Sequence, residues 1–152
     1  MTDVQVLMGV VRENLAALLH GSDDDAVAAV DRMLFVVDDD PSFGALCGML
    51  AEIGGDALRE HRAGLPAGPA RSAPFGLIPM PESATLPERM AAQLVTASAN
   101  GDHPMTMSLL SAVLSWQHVD PMSKLAARLA VHARMLHLSV CSDSASGVEA
   151  GA

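Results

Sequence analysis

The sequence predicts an all-α protein, and three observations carry that prediction. Half of the 152 residues are apolar, drawn mainly from Ala, Leu, Val and Met, with three Phe, one Trp and no Tyr; this mixture favours helix over strand. Apolar residues recur at helical spacing in six separate stretches. Turn residues fall at corresponding places in the two halves of the chain. The six helices therefore read as two related three-helix units, an internal duplication with an offset of about 80 residues, packed as a helical bundle or short α-solenoid.

The first helix is marked by Val4, Leu7, Met8, Val11, Leu15, Leu18 and Leu19, and should end near Gly21. Ser22 can cap the second, with Asp23, Asp24 and Asp25 as an acidic first turn that suits the positive end of the helix dipole. Val27, Val30, Met33, Leu34 and Val37 form its apolar face, which stops at Asp38-Asp39-Asp40. Asp40 is the expected cap of the third helix, with Pro41 in its first position. That helix buries Phe43, Leu46, Leu50, Ile53 and Ala57 and should end around His61, closing an acidic unit over residues 1–61.

Residues 62–83 are too rich in Pro and Gly for regular structure and read as a connector. Its apolar stretch, 75–80, is expected to pack on the body. The second unit, 84–141, opens with a helix carrying Leu86, Met90, Leu94 and Val95, which ends near Asn100-Gly101. The fifth helix starts at Asp102, with Pro104 in its first turn and Leu109, Leu110, Val113, Leu114 and Trp116 on its apolar side. The sixth opens at Asp120-Pro121 and runs through Met122, Leu125, Leu129, Ala133, Leu136 and Val140. Residues 142–152, small and polar, should form a flexible tail.

A shift of 80 residues without gaps places Gly21 on Gly101, Asp40 on Asp120 and Pro41 on Pro121. It also aligns Leu15 with Val95, Val27 with Met107, Val30 with Leu110 and Leu34 with Leu114. The arrangement is similar to the tetratricopeptide solenoids in architecture alone; the unit is far longer and their consensus is missing.

The net charge of −9 lies in the first unit, where twelve acids face three arginines. With no basic stripe to neutralise phosphates, neither nucleic acid nor an anionic membrane is an expected partner. The uncharged run 103–119 contains Pro104, several hydroxyls and Gln117, which argues against a membrane span. No secretory signal is expected at the start, and two cysteines make neither a disulfide framework nor a metal site. A reduced, cytoplasmic setting is the expectation. Eight arginines against one lysine, with abundant Ala, suit a GC-rich bacterial genome.

No residue is assigned a catalytic, cofactor-binding or metal-ligating role. The aspartate runs lack the alternating ligands, central Gly and distal Glu of a calcium loop, and read as helix caps. The histidines His20, His61, His103, His118, His132 and His137 are scattered, without zinc-ligand spacing. Cys47 sits on an apolar face as a small core residue. Three features are less routine. Gly44, Gly48, Ala51 and Gly55 recur at helical spacing, pointing either to close approach of another backbone or to a helix broken at Gly54-Gly55. The helix between Asp102 and Asp120 carries no charge, so it should be covered, by the connector in preference to a second copy. Six of the ten methionines lie from Met80 to Met135, as core filler or adaptable binding surface.

The expected function is a non-enzymatic protein-interaction or regulatory module with no cofactor. Its candidate partner-facing residues are Asp23, Asp24, Asp25, Asp38, Asp39, Trp116, Leu77 and Ile78, and the acids favour a basic protein partner. The alternative is a structural homodimer or higher homo-oligomer through the uncharged helix 104–119. A third reading is a small ligand-binding or enzymatic bundle using Cys47, His118 or His132.

Overall fold

A computed structural model describes residues 2–77, 79–116 and 119–150, with side chains for all of these but 119 and 144–150. Seven helices and no strands occur among the described residues: α1 (Val4–His20), α2 (Asp23–Phe35), α3 (Asp40–Ala63), α4 (Pro69–Ser72), α5 (Leu86–Ala99), α6 (His103–Leu114) and α7 (Val119–Ala150). The six expected helices are all present, and the one-turn α4 is an addition within the connector.

Most of the helix starts are written locally. The first amides of a helix have no partner within it, and a side-chain oxygen just upstream supplies one. Asp3 accepts from Gln5 N at α1, and Asp102 from Met105 N at α6. Reciprocal boxes open α2 (Ser22 with Asp25) and α5 (Thr85 with Glu88). At α3 the cap is Asp39, not Asp40: its carboxylate accepts from Ser42 N at 2.9 Å while Ser42 Oγ accepts from Asp39 N at 3.3 Å. Only Asp39 has the extended backbone a cap requires (φ −147°, ψ 169°); Asp40 already lies in the helix. α7 starts at Val119, so Asp120 falls inside its first turn and pairs with Lys124 at 2.7 Å instead of capping. The helix then passes its expected end near Val140 and reaches Ala150.

α3 and α7 pack against each other over the largest interface, and α5 lies against both. α1 pairs with α2, and α6 packs on α5 and α3. Leu7, Leu18, Met33, Leu46, Leu50, Leu94, Leu125 and Leu129 are fully buried where these helices meet. α3 continues unbroken through Gly54 and Gly55, which removes the broken-helix reading. Close approach explains Gly55 instead: a Cβ there would stand 2.9 Å from the backbone nitrogen of Ala99. Gly44 and Gly48 face the side chains of Leu114 and Leu110, with ordinary contact room.

Two arginines tie the halves together. Arg59 on α3 donates to Ser98 O (2.7 Å) and Ala99 O (3.3 Å), the last carbonyls of α5. Arg134 on α7 donates to Leu18 O (2.7 Å) and Gly21 O (2.6 Å) at the end of α1. Each cation therefore sits at the negative end of a helix dipole while satisfying orphan carbonyls.

The connector is fastened at Phe75. Its N–H donates to Asn100 Oδ1 (2.7 Å), its carbonyl accepts from Asn100 Nδ2 (3.0 Å), and its ring lies under the Arg62 guanidinium at 3.4 Å. Its described residues do not cover α6. Leu77 is 56% exposed, and Val113 is the one fully buried residue of α6, with Met105 and Met107 in solvent. The expected cover fails because the anchors of Phe75 belong to α5 and α3. No helix among the described residues is long and apolar enough to cross a membrane.

Candidate functional site

An apolar channel runs between α2 and α7. The two helices lie antiparallel: Asp23 at the start of α2 meets Arg134 at 3.3 Å, while Leu34 near its end shares a wall with Ser123. Small residues line its middle, Ala26 on α2 with Ala127 and Ala130 on α7, and leave a cavity of about 400 Å³ unfilled. Buried Leu18, Ala26, Val30 and Ala130 form its floor. Val27 and Val131 form the lips, 62% and 42% exposed. A second hollow of about 250 Å³ continues the channel past Leu34 and Ser123 to Val37, Phe43 and Met122.

The acidic runs sit at the two ends of this channel. Asp23 lines one end, Asp38, Asp39 and Asp40 line the other, and Asp31 stands on the α2 rim between them. Three of the eight candidate partner-facing residues, Asp23, Asp38 and Asp39, thus reach one surface; Asp24 and Asp25 do not line it. Several acids also serve the fold. Asp25 is held below the usual carboxylate range by the Ser22 amide and hydroxyl of its capping box. Asp38 is drawn down to about 2 by the hydroxyl and amide of Thr2, which donate at 2.7 and 2.8 Å. The rim cations are already engaged: Lys124 by Asp120, and Arg134 by the α1 carbonyls and Asp23. Asp31 and Asp40 have no ion-pair partner among the described residues. The free charge along the channel is negative.

The apolar candidates lie elsewhere. Trp116 is half-buried against the core after α6, and Leu77 is exposed in the connector. Ile78 and His118 lie outside the described residues. A second apolar groove, shallower and wider at about 600 Å³, separates α1 from α3 between Met8, Leu15, Ala45 and Met49.

Of the residues of the enzymatic reading, Cys47 and His132 are described, and neither bonds the other. Cys47 is fully buried, and burial pushes its thiol up to about 12, so it stays protonated at neutral pH. The ring of His132 bonds to Arg128 O in its own helix. A different group does assemble at one end of the molecule: Cys141 Sγ lies 3.6 Å from His137 Nε2, and His20 meets His137 edge-to-face at 4.7 Å. The spacing His137-x-x-x-Cys141 marks the first pair on one helix face; the approach of His20 depends on the fold. No metal-holding group of three or more His, Cys, Asp or Glu occurs among the described residues. On the other side of α3, Glu52 accepts from Ser98 Oγ at 2.7 Å and from Arg59 at 2.8 Å, and both interactions lower its carboxyl, that of Ser98 foremost. Asp56 also pairs with Arg59. This network fixes the Arg59 cap on α5.

No family model matches the chain, and no curated protein or solved structure matches it.

Proposed function

We propose that the chain is a non-enzymatic binding module whose docking surface is the α2–α7 channel. The observation that carries the reading is the open apolar cleft between Val27 and Val131, with Asp23, Asp31, Lys124 and Arg134 as the charged residues along it. Two antiparallel helices with small alanines along the facing walls leave an open trough, the shape that accepts a third helix in helix-in-groove recognition. Regulation by occupancy of this trough, in a reduced cytoplasmic setting that suits two free thiols, completes the reading.

Display selection tests it. A library of helical peptides is selected on the native protein and counter-selected on Ala127→Arg, which places a long cation across the exposed lip. Recovery of helices that bind the native protein alone supports the reading. Recovery of binders indifferent to Ala127→Arg, or of none, contradicts it.

A second reading has its own observation. α6 is uncharged and uncovered, with Met105 49% and Met107 62% exposed, and the alternative is a homodimer through this face. Light scattering that shows one monomeric mass over a wide concentration range would dismiss it.

We also infer that α1–α3 and α5–α7 arose by duplication. In support, the packing partners correspond when the units are exchanged, α3 with α5 as α7 with α1, and α3 with α6 as α7 with α2. The arginine caps follow the same exchange, Arg59 on α5 and Arg134 on α1. Their positions do not coincide at the offset of 80, which places Gly54 opposite Arg134.

A further inference from the structure

We infer that the occupant of the channel is a basic amphipathic helix from a partner protein, its apolar face on Val27, Val30, Leu34 and Val131 and its Lys or Arg side chains turned to Asp31 and the acidic ends. The inference rests on the binding-module reading and adds the chemistry of the partner.

Length and shape select a helix. α2 has 13 residues, so a segment lying along it covers about 20 Å, or between three and four helical turns. The apolar surface does not stop at the cavity: Val131, Met135 and Leu138, at i, i+4 and i+7 on α7, remain 42%, 65% and 43% exposed. A compact ligand would fill the 400 Å³ hollow and leave this stripe wet; a helix laid in the trough reaches it.

Charge selects a basic partner. Asp38–Asp40 stand at one end of the trough and Asp31 lies on its rim, while the cations along it are paired with acids, Lys124 with Asp120 and Arg134 with Asp23 at the other end. An acidic helix would bring its carboxylates beside Asp31 and Asp40, which have no ion-pair partner among the described residues. A second copy docked through the same surface would set these acids against themselves, and the chain carries only nine Lys and Arg against eighteen Asp and Glu.

Fluorescence anisotropy with two labelled peptides of about 16 residues tests this. Both place Leu at helical spacing; one fills the polar face with Lys, the other with Glu. The Leu/Lys peptide is expected to bind at least tenfold more tightly than Leu/Glu. Its affinity should fall as salt rises from about 50 to about 500 mM, since exposed charges are then screened. Asp31→Asn with Asp40→Asn should weaken it several-fold and flatten that salt dependence, while Glu60→Gln, on α3 away from the channel, should leave it unchanged. Ala127→Arg should abolish binding. Val27→Ser, at an exposed lip, provides a second disruption, and both variants are checked for native melting. Equal binding of the two peptides, or Leu/Lys binding that survives Ala127→Arg and Val27→Ser, overturns the inference. Display selection that returns channel-dependent helices without basic character overturns this inference and leaves the binding-module reading standing; selection that returns none removes both.

Discussion

Asp38 is an exposed carboxylate used as an acceptor by both polar groups of Thr2. Its folded-state value of about 2 lies below the ordinary 3.8, so its contribution to stability is present above the ordinary value and is lost as pH falls through about 2. NMR titration should find this carboxyl still ionised at pH 3 while free aspartates protonate, and Thr2→Val should move it back up. An ordinary value in the native protein would show that Thr2 does not hold it. Glycines inside helices divide in the same residue-level way. Gly9 in α1 has nothing within 4 Å of an added Cβ, so Gly9→Ala should stabilise by up to about 1 kcal/mol through helix propensity. Gly55→Ala drives a methyl to 2.9 Å from the Ala99 nitrogen, and overpacking of about 1–3 kcal/mol should exceed that gain. Urea denaturation that ranks the two variants in the opposite order would contradict the close approach of α3 and α5.

The caps make the helices legible as elements. Ser22, Asp102 and the Gly21 and Gly101 turns are local signals, since each side chain bonds an amide within a few residues, and the expected starts of α2 and α6 follow. Asp39 and Asp40 are harder to separate, because two adjacent aspartates before a proline both have the chemistry of a cap and only backbone geometry chooses. α6 shows another limit. Its neutral sequence suggests cover, yet nothing in a helix's own periodicity says whether a neighbour arrives, and Met105 and Met107 stay exposed. Arg134 was equally hidden: it bonds Leu18 across 116 residues of sequence, and no local pattern encodes such a tie. Removing it tests the element-level account. Arg134→Met keeps the apolar stem and leaves the Leu18 and Gly21 carbonyls without their charged donor. Loss of two such hydrogen bonds should lower unfolding free energy by about 2–3 kcal/mol. A change under about 0.5 kcal/mol, the scale of an unremarkable surface position, would mean that the α1–α7 tie is idle.

On the scale of the whole molecule, the acids were visible in the sequence and the surface they surround was not. Asp23 and Asp38–Asp40 read as two separate runs, whereas folding places them at opposite ends of one trough because α2 spans the interval between them. The trough itself is left open by Ala26, Ala127 and Ala130, small lining residues about 100 positions apart whose spacing on either helix is unexceptional. Larger side chains there would fill the trough and leave the acids as caps alone. The most direct measurement of this account is amide chemical-shift mapping of the isotopically labelled protein during titration with the Leu/Lys peptide. The account predicts shifts that follow the channel, at Ala26, Val27, Val30, Ala127 and Val131, and continue to Met135. Shifts centred on Met107 and Ser111 of α6, or scattered over the acidic surface without a path through the channel, would contradict it.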